Sequence, residues 1–280
     1  MTSGLDNLSL ALFTALAPAG VVAFIVLALA RIFSADHDRA VRIDRMFAVA
    51  LLGFIASATH LGTPANALHV FAGVGTSPLS NEVLSAVVFL FLSGSYWMAA
   101  FKVNFPDALA KPWLVAACLA GIALLACTSQ AYAVRTVPTW NTPYTPTNLI
   151  FAGLFEGAVF SQIFLSAAKA PLQRTGIVLV GLAGVSLVGN IAVMAAQNTA
   201  LNAIANNEFA AATLAPDYSL IIAFYALAGL AAIVLDGWAL RAATSTRTRF
   251  IMRIIAGVLA FAAVFAARTV FYSLHMTIGF

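Results

Sequence analysis

His60 and Glu82 are the two side chains whose types and placement best suit proton chemistry. A histidine near its natural titration range accepts a proton at neutral pH. A carboxylate in a poorly solvated setting also becomes a proton acceptor. The segment between them is short enough to join two antiparallel apolar helices, which brings both groups to one cavity at the rim of a bundle. A quinol gives up two protons and two electrons on oxidation, and an imidazole–carboxyl pair beside an apolar groove suits that reaction. The same residues also fit structural roles. His60 can be an interfacial imidazole bonded to a loop carbonyl, and Glu82 can sit in the first turn of a helix with Ser80 or Asn81 as cap.

Glu156 and Asp236 fall inside apolar runs, where ionisable groups are costly and default to functional hypotheses. Asp236 lies close to a basic helix end, where Arg241 or another arginine on that side can neutralise it, a structural reading. Glu156, about two turns from the end of its run, fits proton handling and an interhelical hydrogen bond equally well. Arg268 can pair with Glu82 or Glu156, or snorkel outward. A di-haem membrane enzyme needs paired axial histidines within its helices. Of the four histidines, His37 falls in an inner connection, and His60, His69 and His275 fall near the outer face. Cys118 and Cys127 on one helix would be about 13 Å apart by rise per residue, too far for a disulfide. Neither belongs to a metal or Fe–S motif. The expectation is a chain with no haem, no Fe–S cluster and no metal, whose electrons leave to a partner.

These groups need helices to position them. The chain is 62% hydrophobic and only 9% charged, against about 25% charged in a soluble domain. It is expected to be a single integral-membrane domain over residues 1–280. Unpaired backbone groups are excluded from hydrocarbon, and the apolar runs are continuous and not alternating, so helices are favoured over a barrel. Eight spans are predicted: roughly Leu8–Ala30, Met46–Pro64, Val83–Phe101, Trp113–Val134, Leu149–Ala168, Gly176–Ala195, Leu220–Leu240 and Phe250–Leu274. The basic composition does not point to nucleic acid, because Lys and Arg sit at the ends of apolar runs. Twelve of them lie at the odd-numbered connections and only Arg135 and Arg268 on the other side. Basic residues favour the cytoplasm, so an all-α bundle with both termini periplasmic in a bacterial inner membrane is predicted. No cleavable signal peptide is expected, because the first apolar run is long and lacks a basic leader.

The outer connections carry few charges. Pro138, Pro143 and Pro146 make the 4–5 connection (Arg135–Asn148) extended, with Trp140 and Tyr144 among them. In the 6–7 connection (Ala196–Ser219), Leu201, Ile204 and Phe209 have partly helical spacing, consistent with a surface helix. These loops fit two readings equally: a docking platform for a partner, or lids packed on the bundle.

The segment FIASATHLGTPANALHVFAGVGTSPLSNEV (Phe54–Val83) resembles the signature of the DMSO reductase membrane anchor (DmsC) family. So do TVPTW (Thr136–Trp140) with the following TP (Thr145–Pro146), APDY (Ala215–Tyr218) and FYSLHMTIG (Phe271–Gly279). The blocks run from the second helix to the C-terminus, and HLG-x-P followed by LSxE is quite specific. The resemblance implies a heterotrimer of a molybdopterin catalytic subunit, a ferredoxin-like Fe–S subunit and this anchor, which binds menaquinol near the periplasmic face. His60 and Glu82 match the HLG and LSxE positions implicated there in quinol oxidation. The expected pocket, in a groove between the second, third and last helices, comprises His60, Leu61, Gly62, Ser80, Glu82, Arg268 and Tyr272, with menaquinol or ubiquinol as donor. Two departures bear on it. Val264 stands where the family often has an acidic residue one turn before Arg268. Phe224 and Tyr225 occupy the region of an arginine often found after the PDY motif.

Two other functions fit part of this pattern. The scaffold can serve a related molybdoenzyme, such as a sulfite dehydrogenase or a polysulfide or selenate reductase. A small secondary transporter is the reading from another class, but its internal repeats and broken midplane helices are not visible here.

Overall fold

The computed structural model describes residues 8–34, 36–57, 64–101, 105–241, 243 and 245–276. Eight α-helices account for most of them: α1 (Leu8–Ile32), α2 (His37–Ser57), α3 (Pro78–Ala100), α4 (Asp107–Ala131), α5 (Tyr144–Ala167), α6 (Gln173–Ala200), α7 (Tyr218–Arg241) and α8 (Thr246–Ser273). Seven of them, α1 and α3 to α8, are long and apolar enough to cross a membrane. The shortest of these has 23 residues, about 35 Å at 1.5 Å per residue, which exceeds a hydrocarbon core of about 30 Å. Large apolar side chains such as Phe91, Val185, Leu227 and Trp238 point away from the bundle. The chain is an integral membrane protein.

The second helix differs from expectation. It begins at His37 and not near Met46, taking in Asp38, Arg39, Arg42, Asp44 and Arg45. Ala40, Ile43, Phe47 and Ala50 recur every three or four residues and are buried, so this charged stretch still presents one apolar stripe to the core. Asp44 turns inward because partners await it. Arg31 at the end of α1 donates from Nε to Asp44 at 3.2 Å and from Nη2 to Asp107 at 2.9 Å. The Tyr96 hydroxyl donates to the other Asp44 oxygen at 2.9 Å. The same end of the bundle carries most of the arginines. Arg42 donates to the carbonyl of Ala168 at 2.9 Å, and Arg253 reaches Ser166 Oγ and the carbonyl of Ala239. Asp236 accepts a hydrogen bond from Gln162 at 2.9 Å and faces the charge of Arg253. Arg253 is thus the arginine of that side that Asp236 faces, without a direct ion pair among the described residues.

The helices form two consecutive groups, α1–α4 and α5–α8, joined mainly where α1 crosses α5 and where α8 meets both. The crossing of α1 and α5 is close because small residues line it. A Cβ built at Gly153 would lie 2.7 Å from Pro18 Cβ, and one at Gly157 would lie 2.5 Å from Val22 Cβ and 2.8 Å from the Ala19 carbonyl oxygen. Without a hydrophobic force between helices in lipid, such backbone approach is what holds them together.

The connections opposite the arginine-rich end are more ordered than their composition suggests. Pro64–Gly73 forms a 3-10 helix. Pro146 lies inside the first turn of α5, where proline is tolerated because its missing N–H would be unpaired anyway. The 6–7 connection holds no long surface helix. It has two short 3-10 turns, Leu201–Ala203 and Ala211–Leu214, closed by a bridge between Ala205 and Ala210. Leu201 and Ala211 are buried, so this segment folds onto the bundle.

Candidate functional site

The turn before α3 places Glu82. Gly73 is needed there, since a Cβ would sit 2.7 Å from Ser80 Oγ, and Gly75 adopts φ +87°. Ser77 is the helix cap, its Oγ accepting from the Ser80 N–H at 3.4 Å, with Pro78 at the first helical position. The cap is thus neither Ser80 nor Asn81. Asn81 instead accepts from the Gly75 N–H at 2.7 Å. This turn packs Ser80 and Glu82 inward, both buried.

Glu82 projects to the place where α1, α3, α4 and α8 meet. The buried Thr128 on α4 faces its carboxylate, and Oε1 has no hydrogen-bond partner among the described residues. Tyr132, one turn beyond Thr128, and Tyr272 on α8 are both within electrostatic reach of Glu82. Their rings meet edge to face at 6.0 Å. The Tyr272 hydroxyl reaches Thr14 Oγ1 at 3.3 Å and the Leu10 carbonyl at 3.4 Å.

The 4–5 connection straps this corner. Trp140 stacks on Phe271 at 4.9 Å and donates from Nε1 to the Phe271 carbonyl at 3.0 Å. Thr139 donates to the carbonyl of Leu274, and the His275 ring lies 4.9 Å from Trp140. Trp140 faces the bundle as a packed lid.

Arg268, one turn before Tyr272, does not snorkel. Only 1% exposed, it sits 5.5 Å over the Phe271 ring, and its Nε and Nη2 lack hydrogen-bond partners among the described residues. Its charge is set against Glu156 on α5, without a direct ion pair among the described residues. Of the expected pocket, Ser80, Glu82, Arg268 and Tyr272 are buried at one end of the bundle, and Glu82 and Tyr272 share one corner. His60, Leu61 and Gly62 lie outside the described residues. Thr14, Thr128 and Tyr132 were missed in the sequence. The available signal was the one-turn spacing of Thr128 to Tyr132 and of Arg268 to Tyr272. Among the described residues, no three His, Cys, Asp or Glu side chains gather as metal ligands.

An eight-helix bundle with a buried carboxyl, paired tyrosines and a buried arginine at one rim defines a membrane protein with a polar site at the edge of its apolar interior. Its kinship is specific. The family described as DMSO reductase anchor subunit (DmsC) matches residues 1–274, and the chain belongs to that family. Among curated relatives, the anaerobic dimethyl sulfoxide reductase protein YnfH of Escherichia coli is 30% identical, covering 100% of this chain and 98% of that one. An anaerobic dimethyl sulfoxide reductase polypeptide of Haemophilus influenzae has the same identity and coverage. A sulfite dehydrogenase subunit of Allochromatium vinosum is 31% identical over 52% of this chain and 49% of its own length. The solved bd oxidase of Geobacillus thermodenitrificans superposes with a TM-score of 0.57 at 15% identity, covering 96% of this chain and 83% of that one. At that identity the likeness concerns the fold alone.

Proposed function

We propose that this chain is the quinol-oxidising membrane anchor of a trimeric DMSO-reductase-type molybdoenzyme. The observation that carries the reading is Glu82: a buried carboxyl with one oxygen unpartnered among the described residues, near Tyr132 and Tyr272, and following in sequence the segment that holds His60. A quinol entering from the lipid places one hydroxyl at His60 and the other at Glu82. The imidazole takes one proton and the carboxylate the other, leaving the quinone. The two electrons pass to a ferredoxin-like Fe–S subunit and on to the molybdopterin subunit. Tyr132 and Tyr272 hold the ring edge by hydrogen bonds, and Trp140 with Phe271 shields the corner from water. In this reading α2 is the eighth span, both termini are periplasmic and the partners sit over the site. Protons and electrons then leave on the same face, so this step does not itself move charge across the membrane.

His60→Ala in the assembled complex is expected to abolish quinol-driven reduction while dye-driven catalysis by the partner persists. Glu82→Gln is expected to lower quinol-driven turnover in the same way. Normal quinol turnover in the His60 variant overturns the proposal. The partial similarity to a sulfite dehydrogenase subunit supports a second reading, in which the same anchor serves a sulfite-type molybdoenzyme. The subunits that co-purify with the anchor distinguish the two.

A further inference from the structure

A cavity of about 310 Å³ lies at the arginine-rich end of the bundle, the end opposite Glu82. Its walls are the turn between α5 and α6, the last turn of α7 and the first turns of α8. That size is at the lower end of small-ligand pockets, about 300–1,000 Å³. Three cations line it, Lys169, Arg249 and Arg253, and no Asp or Glu does among the described residues. Arg249 and Arg253 are one turn apart on α8, so they share a face where like charges repel. None of the three makes an ion pair among the described residues. Asp236 faces Arg253 from α7, but its hydrogen bond comes from Gln162.

Arg253 is only 4% exposed, and its donors are poorly used. Nη1 reaches Ser166 Oγ at 3.3 Å and Nη2 the Ala239 carbonyl at 3.4 Å, both beyond the usual range of about 2.7–3.2 Å. Its Nε has no partner among the described residues, and neither has Nε of Arg249. A buried guanidinium with spare donors beside an open volume lacks an acceptor. The backbone points the same way. α6 starts at Gln173, on the cavity wall, with no side-chain cap. Its first N–H groups have no acceptor within the helix, and such a helix start favours an anion. Lys169 takes the left-handed position after α5, φ +54°, where glycine is usual. The lysine adds a cation that glycine would not.

Guanidinium forks, a lysine and backbone N–H groups are donors that hold phosphate oxygens. We propose that this cavity binds a phosphate group, with Arg249 and Arg253 on its oxygens and the exposed Lys169 at its edge. A phospholipid headgroup and free inorganic phosphate carry the same chemistry. The surroundings favour the lipid. Within a turn of the cavity the same helices present exposed apolar side chains, Ile177 on α6, Trp238 on α7 and Ile254 on α8. Acyl chains lie along these while the headgroup enters the cavity, as in other basic pockets between membrane helices.

The test titrates the full-length chain in detergent micelles with dioleoyl-phosphatidylglycerol or dioleoyl-phosphatidylcholine and counts bound lipid by native mass spectrometry. Labelled inorganic phosphate is tested beside them by equilibrium dialysis. One phosphatidylglycerol per chain is expected, held more tightly than phosphatidylcholine. Arg249→Gln is expected to weaken it about tenfold. Arg241→Gln, at an exposed arginine of the same end outside the cavity, is expected to leave it unchanged. Should Arg249→Gln fail to fold by circular dichroism, Lys169→Gln, at an exposed side chain, decides in the same way. Inorganic phosphate bound as tightly as the lipid, with the same loss in the cavity variant, keeps the site and assigns it to free phosphate. Phosphatidylglycerol bound equally by wild type and the cavity variants, or weakened as much by Arg241→Gln, overturns the proposal, as does binding of neither probe.

Discussion

Gly157→Ala tests whether close backbone approach holds the bundle together. The new Cβ would lie 2.5 Å from Val22 Cβ, 2.7 Å from Val22 Cγ1 and 2.8 Å from the Ala19 carbonyl oxygen. Ordinary carbon contact is about 3.5–4.0 Å, so α1 must retreat by about 1 Å or Val22 must leave its rotamer. The carbonyl oxygen belongs to the α1 backbone and cannot swing aside. Overpacking of this kind costs about 1–3 kcal/mol, and alanine's better helix propensity offsets up to roughly 1 kcal/mol. A net loss of about 1–2 kcal/mol is expected. Gly181→Ala on α6 is the internal control, because nothing lies within 4 Å of its Cβ position. It keeps the propensity gain without the clash. Unfolding of the purified protein in mixed micelles, titrated with SDS and followed by circular dichroism, ranks the two. An unfolding midpoint for Gly157→Ala equal to or above that of Gly181→Ala would refute the argument.

Arg31→Gln leaves the buried Asp44 without its cation and is expected to destabilise by about 3–5 kcal/mol. Asp107→Asn should cost less than about 1 kcal/mol in the same assay, because the Asp107 side chain is 56% exposed. Tyr272→Phe removes the contacts to Thr14 and Leu10 and is expected to cost about 1 kcal/mol. In the assembled complex it should raise the quinol KM while dye-driven activity stays constant, and an unchanged KM would remove Tyr272 from the pocket.

The distribution of lysine and arginine made the basic end of the bundle legible, because each helix end carries its own charges. Arg31, Arg42 and Arg253 all hydrogen-bond at that end. The start of α2 was not legible. A span is recognised by absence of charge, and Asp44 is buried only because Arg31 and Tyr96, far off in sequence, supply its partners. Glu82 stood out as a carboxyl near an apolar run. Thr14, Thr128 and Tyr132 did not, since hydroxyls are common in such helices and gather at one corner only when α1, α3, α4 and α8 converge. Arg268 was expected to pair directly or reach outward. Among the described residues it does neither: it is buried over the Phe271 ring without an ion pair.

The hydroxyl of Tyr272 on α8 touches Leu10 and Thr14 on α1, 262 and 258 residues away in sequence. Contacts so distant in sequence carry a large closure penalty. The corner that holds Glu82 and Tyr272 therefore stays open until α8 has docked on α1.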